Sequence, residues 1–501
     1  MRTKAPRIML AAVSSGSGKT LLTCALLQAM TDCGKRAAAF KCGPDYIDPM
    51  FHRKVLGIPS KNLDTFFTDE KTTRSLFLEG AAGKDISILE GVMGLYDGLG
   101  GIKEEASSYH LARVTGTPIL LVIDAHGMGR SVIPLVAGFL QYDLAHLIQG
   151  VLLNRISKQF YEIIKPELEA QLPVRVLGYF PKLERLRLES RHLGLMLPDE
   201  VKDLKEQVQL AADTFRSCVN LEEITAIASR ANMLEADAGT THSQEGRLKE
   251  DTGTVLSQGA SLKAGIRPYL SRTDVSEAGA AVFPSTSGEL RIAVARDEAF
   301  CFYYEDNLRL LERCGARLEF FSPLRDENLP EGIHGLLLGG GYPELYAQEL
   351  SQNRSMRESI RGTIEQGMPS LAECGGFMYL HEAMENPEGK AFLMAGVIEG
   401  SCHYTGKLVR FGYISISTDT ESFLGSSVIR GHEFHYYDST DNGASCTAEK
   451  PVSGKIWRCI HAGRDHWWGF PHLYYYSNPE FVRRYLERVK AYAQNTRSWN
   501  H

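Results

Sequence analysis

The stretch from Arg7 to Met30 constrains this chain more than any other. An apolar run, RIMLAAV, leads into SSGSGKT, and LLTCALLQAM follows at once. A strand that feeds a glycine- and serine-rich turn and then a helix leaves the first N–H groups of that helix without internal partners. Ser14, Ser15, Gly16, Ser17 and Gly18 form that turn and can cradle phosphates with their backbone amides. Lys19 would reach the terminal phosphates, and the Thr20 hydroxyl would hold Mg²⁺. The usual pattern asks for Gly where Val13 stands, and a variant with one more intervening residue puts Ala12 there. An ordinary strand–helix turn is the plain alternative, but the GSGKT core in this setting favours ATP.

At 501 residues the chain calls for two or three domains. Residues 1–235 alternate strand-like runs (ISILEGV, PILLVID, LIQGVLLN) with helical ones, which predicts a parallel sheet covered by helices on both faces. Residues 236–288 are rich in Gly, Ser, Thr and charge without a sustained period, and read as a linker. A second α/β alternation starts at RIAVARD and defines a domain over 289–495. The net charge of −6 argues against a general nucleic-acid or membrane-surface binder, and no apolar run approaches the roughly 18 residues that span a bilayer. The ten cysteines include no CxxC pair, which suggests reduced thiols in a cytoplasm.

Residues 39–52, AFKCGPDYIDPMFH, follow a small apolar run. Pro44 and Pro49 each remove a backbone donor, so the stretch reads as a loop that presents Lys41, Asp45 and Asp48 at a strand end. Glu90 ends the run ISILE, and Asp97 follows it in a loop. In open α/β sheets ligands sit at the carboxyl ends of strands, so Glu90 is placed to complete the Mg²⁺ coordination begun by Thr20. Turn-capping is the bland reading of Asp45 and Asp48. Asp124, ending LLVID, reads equally well as a helix cap.

The second half carries another chemistry. In MPSLAECGGFMYL an apolar run meets Cys374, then Gly375 and Gly376, then a helical run. A cysteine on a sharp strand-to-helix turn is exposed for attack, and helix amides can lower its pKa and stabilise an oxyanion. Gly340, within LLLGGGYPEL, suits the second oxyanion donor, and His472 in GFPHLYYY is the late general base. Together they suggest a Cys–His glutamine amidotransferase of class I. FPHLYYY itself reads as core, and His432, His435, His461 and His466 show no metal spacing.

At this level the chain resembles the cobyrinate a,c-diamide synthase family. The residues that carry the resemblance are SSGSGKT, FKCGPDYIDP, EGVMGLYDG, SRHLGL, VARDEAFCFYYEDNL, LGGGYPEL, AECGGFMYL and RGHEFHYYD, in order along nearly the whole chain. The resemblance implies a P-loop, dethiobiotin synthetase-like α/β domain followed by a class I glutamine amidotransferase α/β domain. It implies ATP- and glutamine-dependent amidation of the a and c acetate carboxylates of cobyrinic acid through acyl phosphates. Thr20, Asp45 and Glu90 would hold Mg²⁺. Lys41, Tyr46, Asp48, Asp97 and Arg191 would face the substrate, with Asp48 and Asp97 also serving catalysis. The partners would be a tetrapyrrole and L-glutamine, with a homodimer left open. Siroheme and nickel-sirohydrochlorin are alternative substrates, and a non-catalytic nucleotide switch is the alternative from another class. The class I triad usually ends in His-Pro-Glu, whereas here the order is His472-Leu473-Tyr474, so the group orienting His472 must come from elsewhere. Glu433 is the candidate.

Overall fold

The computed structural model describes residues 2–183, 198–235 and 290–499. The expected linker over 236–288 lies outside them, as do Arg191 and the rest of SRHLGL.

The first half is built on seven parallel strands: β1 Arg7–Ala12, β2 Ala37–Cys42, β3 Ser60–Leu63, β4 Ile86–Glu90, β5 Ile119–Asp124, β6 Ile148–Asn154 and β7 Val176–Phe180. Their order across the sheet is β3-β2-β4-β1-β5-β6-β7. Every residue of β1, β2 and β4 is buried, as a sheet covered on both faces requires. Helix α1, Lys19–Asp32, starts directly after the glycine turn. Register aligns Leu10, Glu90, Lys41 and Asn62 in one row at the carboxyl ends of four neighbouring strands. Residues far apart in sequence thus meet at one edge.

One expectation is corrected here. Residues 47–54 of the proline-containing stretch are helical: α2 spans Ile47–Lys54. Pro49 lies in the first turn, where an N–H has no intrahelical acceptor, so its missing donor costs nothing. Asp45 closes the turn before α2 by accepting from Ile47 N (2.9 Å).

The second half has a five-stranded parallel core: β8 Leu290–Ala295, β9 Ala316–Phe321, β10 Gly335–Leu338, β11 Ser370–Glu373 and β14 His466–Gly469. Their order is β9-β8-β10-β11-β14, with His461–Ala462 added antiparallel at the edge. Two helices matter for the chemistry, α3 Glu305–Arg313 and α4 Gly375–Leu380. A separate antiparallel sheet holds β12 Arg410–Thr418, β13 Ile429–His435 and the short β15 His472–Leu473. Of FPHLYYY, Phe470, Leu473, Tyr474 and Tyr475 are buried, so that stretch is core.

The halves meet through α3. Its Asp306 carboxylate is buried and pairs with Lys61 of β3 (2.6 Å), which also holds Glu79 (3.0 Å). Its Asn307 clamps the chain beside His472: Nδ2 donates to Leu473 O, and Oδ1 accepts from Tyr475 N, both at 2.8 Å. Across the same interface Tyr413 donates to Asp64 (2.7 Å), and Phe67 stacks on Tyr474 (5.0 Å). Removing one partner of a buried pair strands the other charge, so Lys61→Met should lower stability by about 3 kcal/mol in urea unfolding. Pairing it with Asp306→Asn should restore most of that. A loss below about 0.5 kcal/mol, the range of ordinary surface changes, would show that the cluster is not an anchor.

Candidate active sites

The first site lies where β1, β2 and β4 end. Gly16 and Gly18 take positive φ (76° and 89°), which turns the backbone tightly enough for α1 to begin without a side-chain cap. Its first amides therefore face outward unoccupied by protein side chains. Asn154 Nδ2 donates to Ser17 O (2.8 Å) and leaves no room for a side chain at Gly18, where a Cβ would come within 2.4 Å. Arg155 donates to Gly16 O (2.9 Å) and pairs with Asp124 (2.8 Å), so Asp124 braces the phosphate loop through an arginine rather than capping a helix. Lys19 is folded back onto Ser14 O and Met93 O. Burial, and then the Lys41 cation, lower its pKa to about 8.

Beside the loop, Thr20 Oγ1 donates to Glu90 Oε1 (2.7 Å), and Lys41 Nζ donates to the same oxygen (2.9 Å) and to Asp48. Glu90 is completely buried; its Oε2 has no hydrogen-bond partner and faces His52 Nε2 at 3.6 Å. Burial raises the Glu90 carboxyl well above the usual range, and ionised Asp48 adds to this. Burial works against Asp48 too, but Lys41 prevails and holds its carboxyl low. Asp48 is therefore the carboxylate most firmly charged beside Lys41, and burial biases Glu90 toward its neutral form. Asp45 stands further out, 4.0 Å from Lys41, with a third of its side chain exposed. Burial and Asp48 raise its carboxyl. Asp97 caps its own turn by accepting from Gly94 N (2.9 Å).

The structure thus brings Thr20, Lys41, Asp48 and Glu90 into direct contact and leaves Asp45 and Asp97 at the rim. Among the described residues no three His, Cys, Asp or Glu side chains form a closed metal cluster. An open site of Thr20 and Glu90, completed by phosphate oxygens, does fit a nucleotide-borne Mg²⁺: the Glu90 carboxyl touches the threonine hydroxyl through Oε1 and keeps Oε2 without a hydrogen-bond partner. His52 belongs to this site and escaped sequence reasoning, since nothing in its spacing marks it.

The second site surrounds Cys374, between β11 and α4. The residue has φ 49° and ψ −104°, a strained backbone for a side chain that must project from a sharp turn. Its N–H donates to Gly469 O (2.8 Å). Gly340 lies under the imidazole of His472: a Cβ there would sit 2.3 Å from Cε1. Gly375 packs on the same loop, with its Cβ position 3.1 Å from Gly341 N. Cys374, Gly375, Gly340 and His472 therefore share one enclosure.

Burial governs its electrostatics. It pushes the Cys374 thiol up, and Glu344 adds to the effect, so the lowering expected from helix amides does not prevail in the unliganded site. His472 falls to about 3 through burial and the nearby His435. Glu373, also buried, rises to about 8 and stands 3.9 Å from His472 Nδ1, which has no hydrogen-bond partner. Glu433 is fully buried but lies 3.8 Å from His435 instead. Glu373 is thus the better placed orienter. Sequence reasoning misses it although it directly precedes Cys374 in AECGG.

Tyr46 joins the sites. It sits between Pro44 and α2, on the stretch that bears Asp45 and Asp48, and its ring packs on Tyr304 (4.4 Å), Phe302 (5.1 Å) and His472 (5.1 Å). The Tyr304 hydroxyl donates to Pro44 O (3.0 Å).

A phosphate-binding α/β half joined to a Cys–His half defines a glutamine-dependent amide ligase. Residues 8–195 match the CobQ/CobB/MinD/ParA nucleotide binding domain, and residues 291–457 match the CobB/CobQ-like glutamine amidotransferase domain. The cobyrinate a,c-diamide synthase of Caldanaerobacter subterraneus subsp. tengcongensis is 35% identical over 97% of this chain and 99% of its own length. Those of Listeria innocua (36%) and Fusobacterium nucleatum (37%) each cover 95% of this chain and 98% of their own. The chain belongs to the cobyrinate a,c-diamide synthase family.

Two outcomes follow from this geometry. Gly340→Ala should displace the His472 ring and cut glutamine-driven amidation by about 10²-fold or more, since misplacement by about 1 Å suffices for such a loss. Ammonium-driven amidation should continue; equal loss with both nitrogen sources would place Gly340 outside the glutaminase. Separately, a thiol raised by burial has a thiolate fraction that grows tenfold per pH unit below its pKa. Iodoacetamide labelling of Cys374, read by peptide mass spectrometry against Cys374→Ser, should keep rising from pH 6 to about 9. A plateau below pH 7 would mean a pre-ionised thiolate.

Proposed function

We propose that this chain amidates the a and c acetate carboxylates of cobyrinic acid in cobalamin biosynthesis, using ATP and glutamine-derived ammonia. The observation that carries this reading is the contact of Lys41, Asp48, Glu90 and Thr20 beside the phosphate loop, a cluster built for an anionic carboxylate and phosphates together. Residues 1–235 form the synthetase domain and 289–495 the amidotransferase domain.

A carboxylate does not exchange oxygen for nitrogen until that oxygen becomes a leaving group. Backbone amides of residues 14–20 hold the triphosphate, and Lys19 leaves Ser14 O and Met93 O to meet the γ-phosphate. Thr20 and Glu90, with Asp45 at the rim, would hold Mg²⁺, which would supply charge neutralisation for the transferred phosphoryl group; Glu90 would be ionised in that role. Lys41, kept charged by Asp48, binds the substrate carboxylate, whose oxygen attacks the γ-phosphorus as ADP departs. Tyr46 and Asp97 contact the substrate. Ammonia then attacks the acyl phosphate, loses a proton to Asp48 or Asp97, and expels phosphate.

The ammonia comes from glutamine. The Cys374 thiol passes its proton to His472 as sulfur attacks the side-chain amide carbonyl, and the amides of Gly340 and Gly375 face the oxyanion. Ammonia leaves from the collapsing adduct, and water hydrolyses the thioester to glutamate.

Incubation with ATP, Mg²⁺, glutamine and cobyrinic acid, followed by mass spectrometry, tests the reading. Replacement of two carboxyls by amides is the expected result. Turnover of siroheme or nickel-sirohydrochlorin in place of cobyrinic acid would move the substrate assignment, and ATP binding without amidation of any of them would point to a nucleotide switch. Cys374→Ser should be inactive with glutamine yet active with ammonium salts, more so as pH rises and free ammonia increases. Retained glutamine-driven activity would remove Cys374 as the nucleophile.

A further inference from the structure

The β12–β13 hairpin has two unlike faces. One, with Ile414, Ile416 and Ile429, is fully buried in the amidotransferase core. The other carries aromatic rings from both strands in register: Tyr413 opposite His432, and Phe411 opposite Phe434. Tyr436 continues the line. Ring centroids are 6.1 Å apart for Tyr413–His432, 6.0 Å for Phe411–His432, 5.7 Å for Phe411–Phe434 and 5.8 Å for Phe434–Tyr436. The inner end is tied to the synthetase half, where the Tyr413 hydroxyl donates to Asp64. A Cβ on Gly43 would lie 3.6 Å from that hydroxyl and 3.6 Å from Val92. Gly43 stands two residues before Asp45, and Val92 two after Glu90. The outer end is bare: Phe411 is 59% exposed, Phe434 48% and Tyr436 42%.

We propose that this face is the platform on which the tetrapyrrole macrocycle lies while one of its acetate carboxylates reaches Lys41; the proposal rests on the tetrapyrrole reading above. A contiguous exposed aromatic patch marks a binding surface. Both β12 and β13 are interior strands of their sheet, flanked by Cys446–Glu449 and β15, so no strand edge is open for an extended peptide. Neighbouring rings meet edge-to-face, at interplanar angles of 72–83°, so the face offers alternating ring faces and edges, an apolar surface against which a broad macrocycle can pack. The line of rings starts beside the carboxylate chemistry and leads away from it, so a ligand lying along it has its near rim at the reacting groups. At the far end, Lys407 is exposed and has no ion pair among the described residues; its turn is held by Thr405 N donating to Tyr436 O (3.0 Å). It is placed to meet a carboxylate on the distal rim. A surface of rings with few directional hydrogen bonds also lets one macrocycle be turned between the two amidations.

The test uses the full chain with Phe411→Ala/Phe434→Ala, and Phe320→Ala as a control for an exposed aromatic away from this face. The double variant should raise KM for cobyrinic acid about tenfold or more, with kcat at saturation within about threefold and KM for ATP unchanged. Fluorescence titration with uroporphyrin III, a planar tetrapyrrole carrying carboxylates, should show the same weakening without turnover. Phe411→Trp should retain binding, and the control should match wild type. KM and uroporphyrin affinity within about twofold of wild type in the double variant would overturn the platform. So would a change confined to oligomeric state in sedimentation, which would make the face a contact between copies. Wild-type binding of uroporphyrin III, lost in the variant, with no amidation of any macrocycle, would leave the platform standing and sink the substrate reading.

Discussion

A buried ammonium organises this molecule. Lys41 is 5% exposed, and burial alone would drive its proton off; Asp48, Glu90 and Asp45 reverse that and hold it well above the usual lysine range. The cluster exists only because β2 and β4 are hydrogen-bonded in the register that sets Lys41 opposite Glu90, and because α2 brings Asp48 back over the strand end. Asn62, next in the row, donates to Gly43 O (2.8 Å) and Asp45 O (2.7 Å) and so holds the connection between strand and helix. Without ligand, Lys19 is satisfied by carbonyls and Lys41 by carboxylates. Each of these contacts is one that phosphate or substrate carboxylate can replace with a stronger, charge-assisted one.

The same short connection ties the two chemistries together. Its carboxylates face the phosphate loop, and its one aromatic residue, Tyr46, lies against His472. From the other side, α3 contributes Asp306 to Lys61 and Asn307 to the backbone on either side of Tyr474. The strand bearing His472 is thus positioned by groups that also grip the sheet of the first half. That connection reaches His472 directly, through packed rings.

What could be read from the sequence was what local chemistry dictates. The phosphate loop, the Cys-Gly-Gly turn and the triple glycine declare themselves because a tight turn or a close approach permits few residues there. Gly340 is one such position, with no room for a Cβ. What escaped depends on partners distant in the chain. Pro49 looked like a helix breaker, but one more turn of context makes it a first-turn residue. Glu373 gains meaning only when β15 brings His472 to it, and Asn307 only when α3 packs on the same strand. Likewise nothing in RFGY or HEFHYY says that their outer face emerges next to Asp64.

The missing carboxylate two residues after His472 is answered by burial rather than by a substitute at the same place in the chain. Thiol, imidazole and the Glu373 carboxyl are each held neutral: the first and third are raised, and the second is lowered to about 3. A lone charge in this enclosure is costly whichever group bears it. In the proposed mechanism, transfer of the Cys374 proton to His472 would create two opposite charges at once, so their attraction would offset much of the desolvation that opposes either alone. Glu373, which stands 3.9 Å from His472 Nδ1, is placed to orient such an imidazolium. Charge is thus favoured in the site as a pair rather than on one group alone.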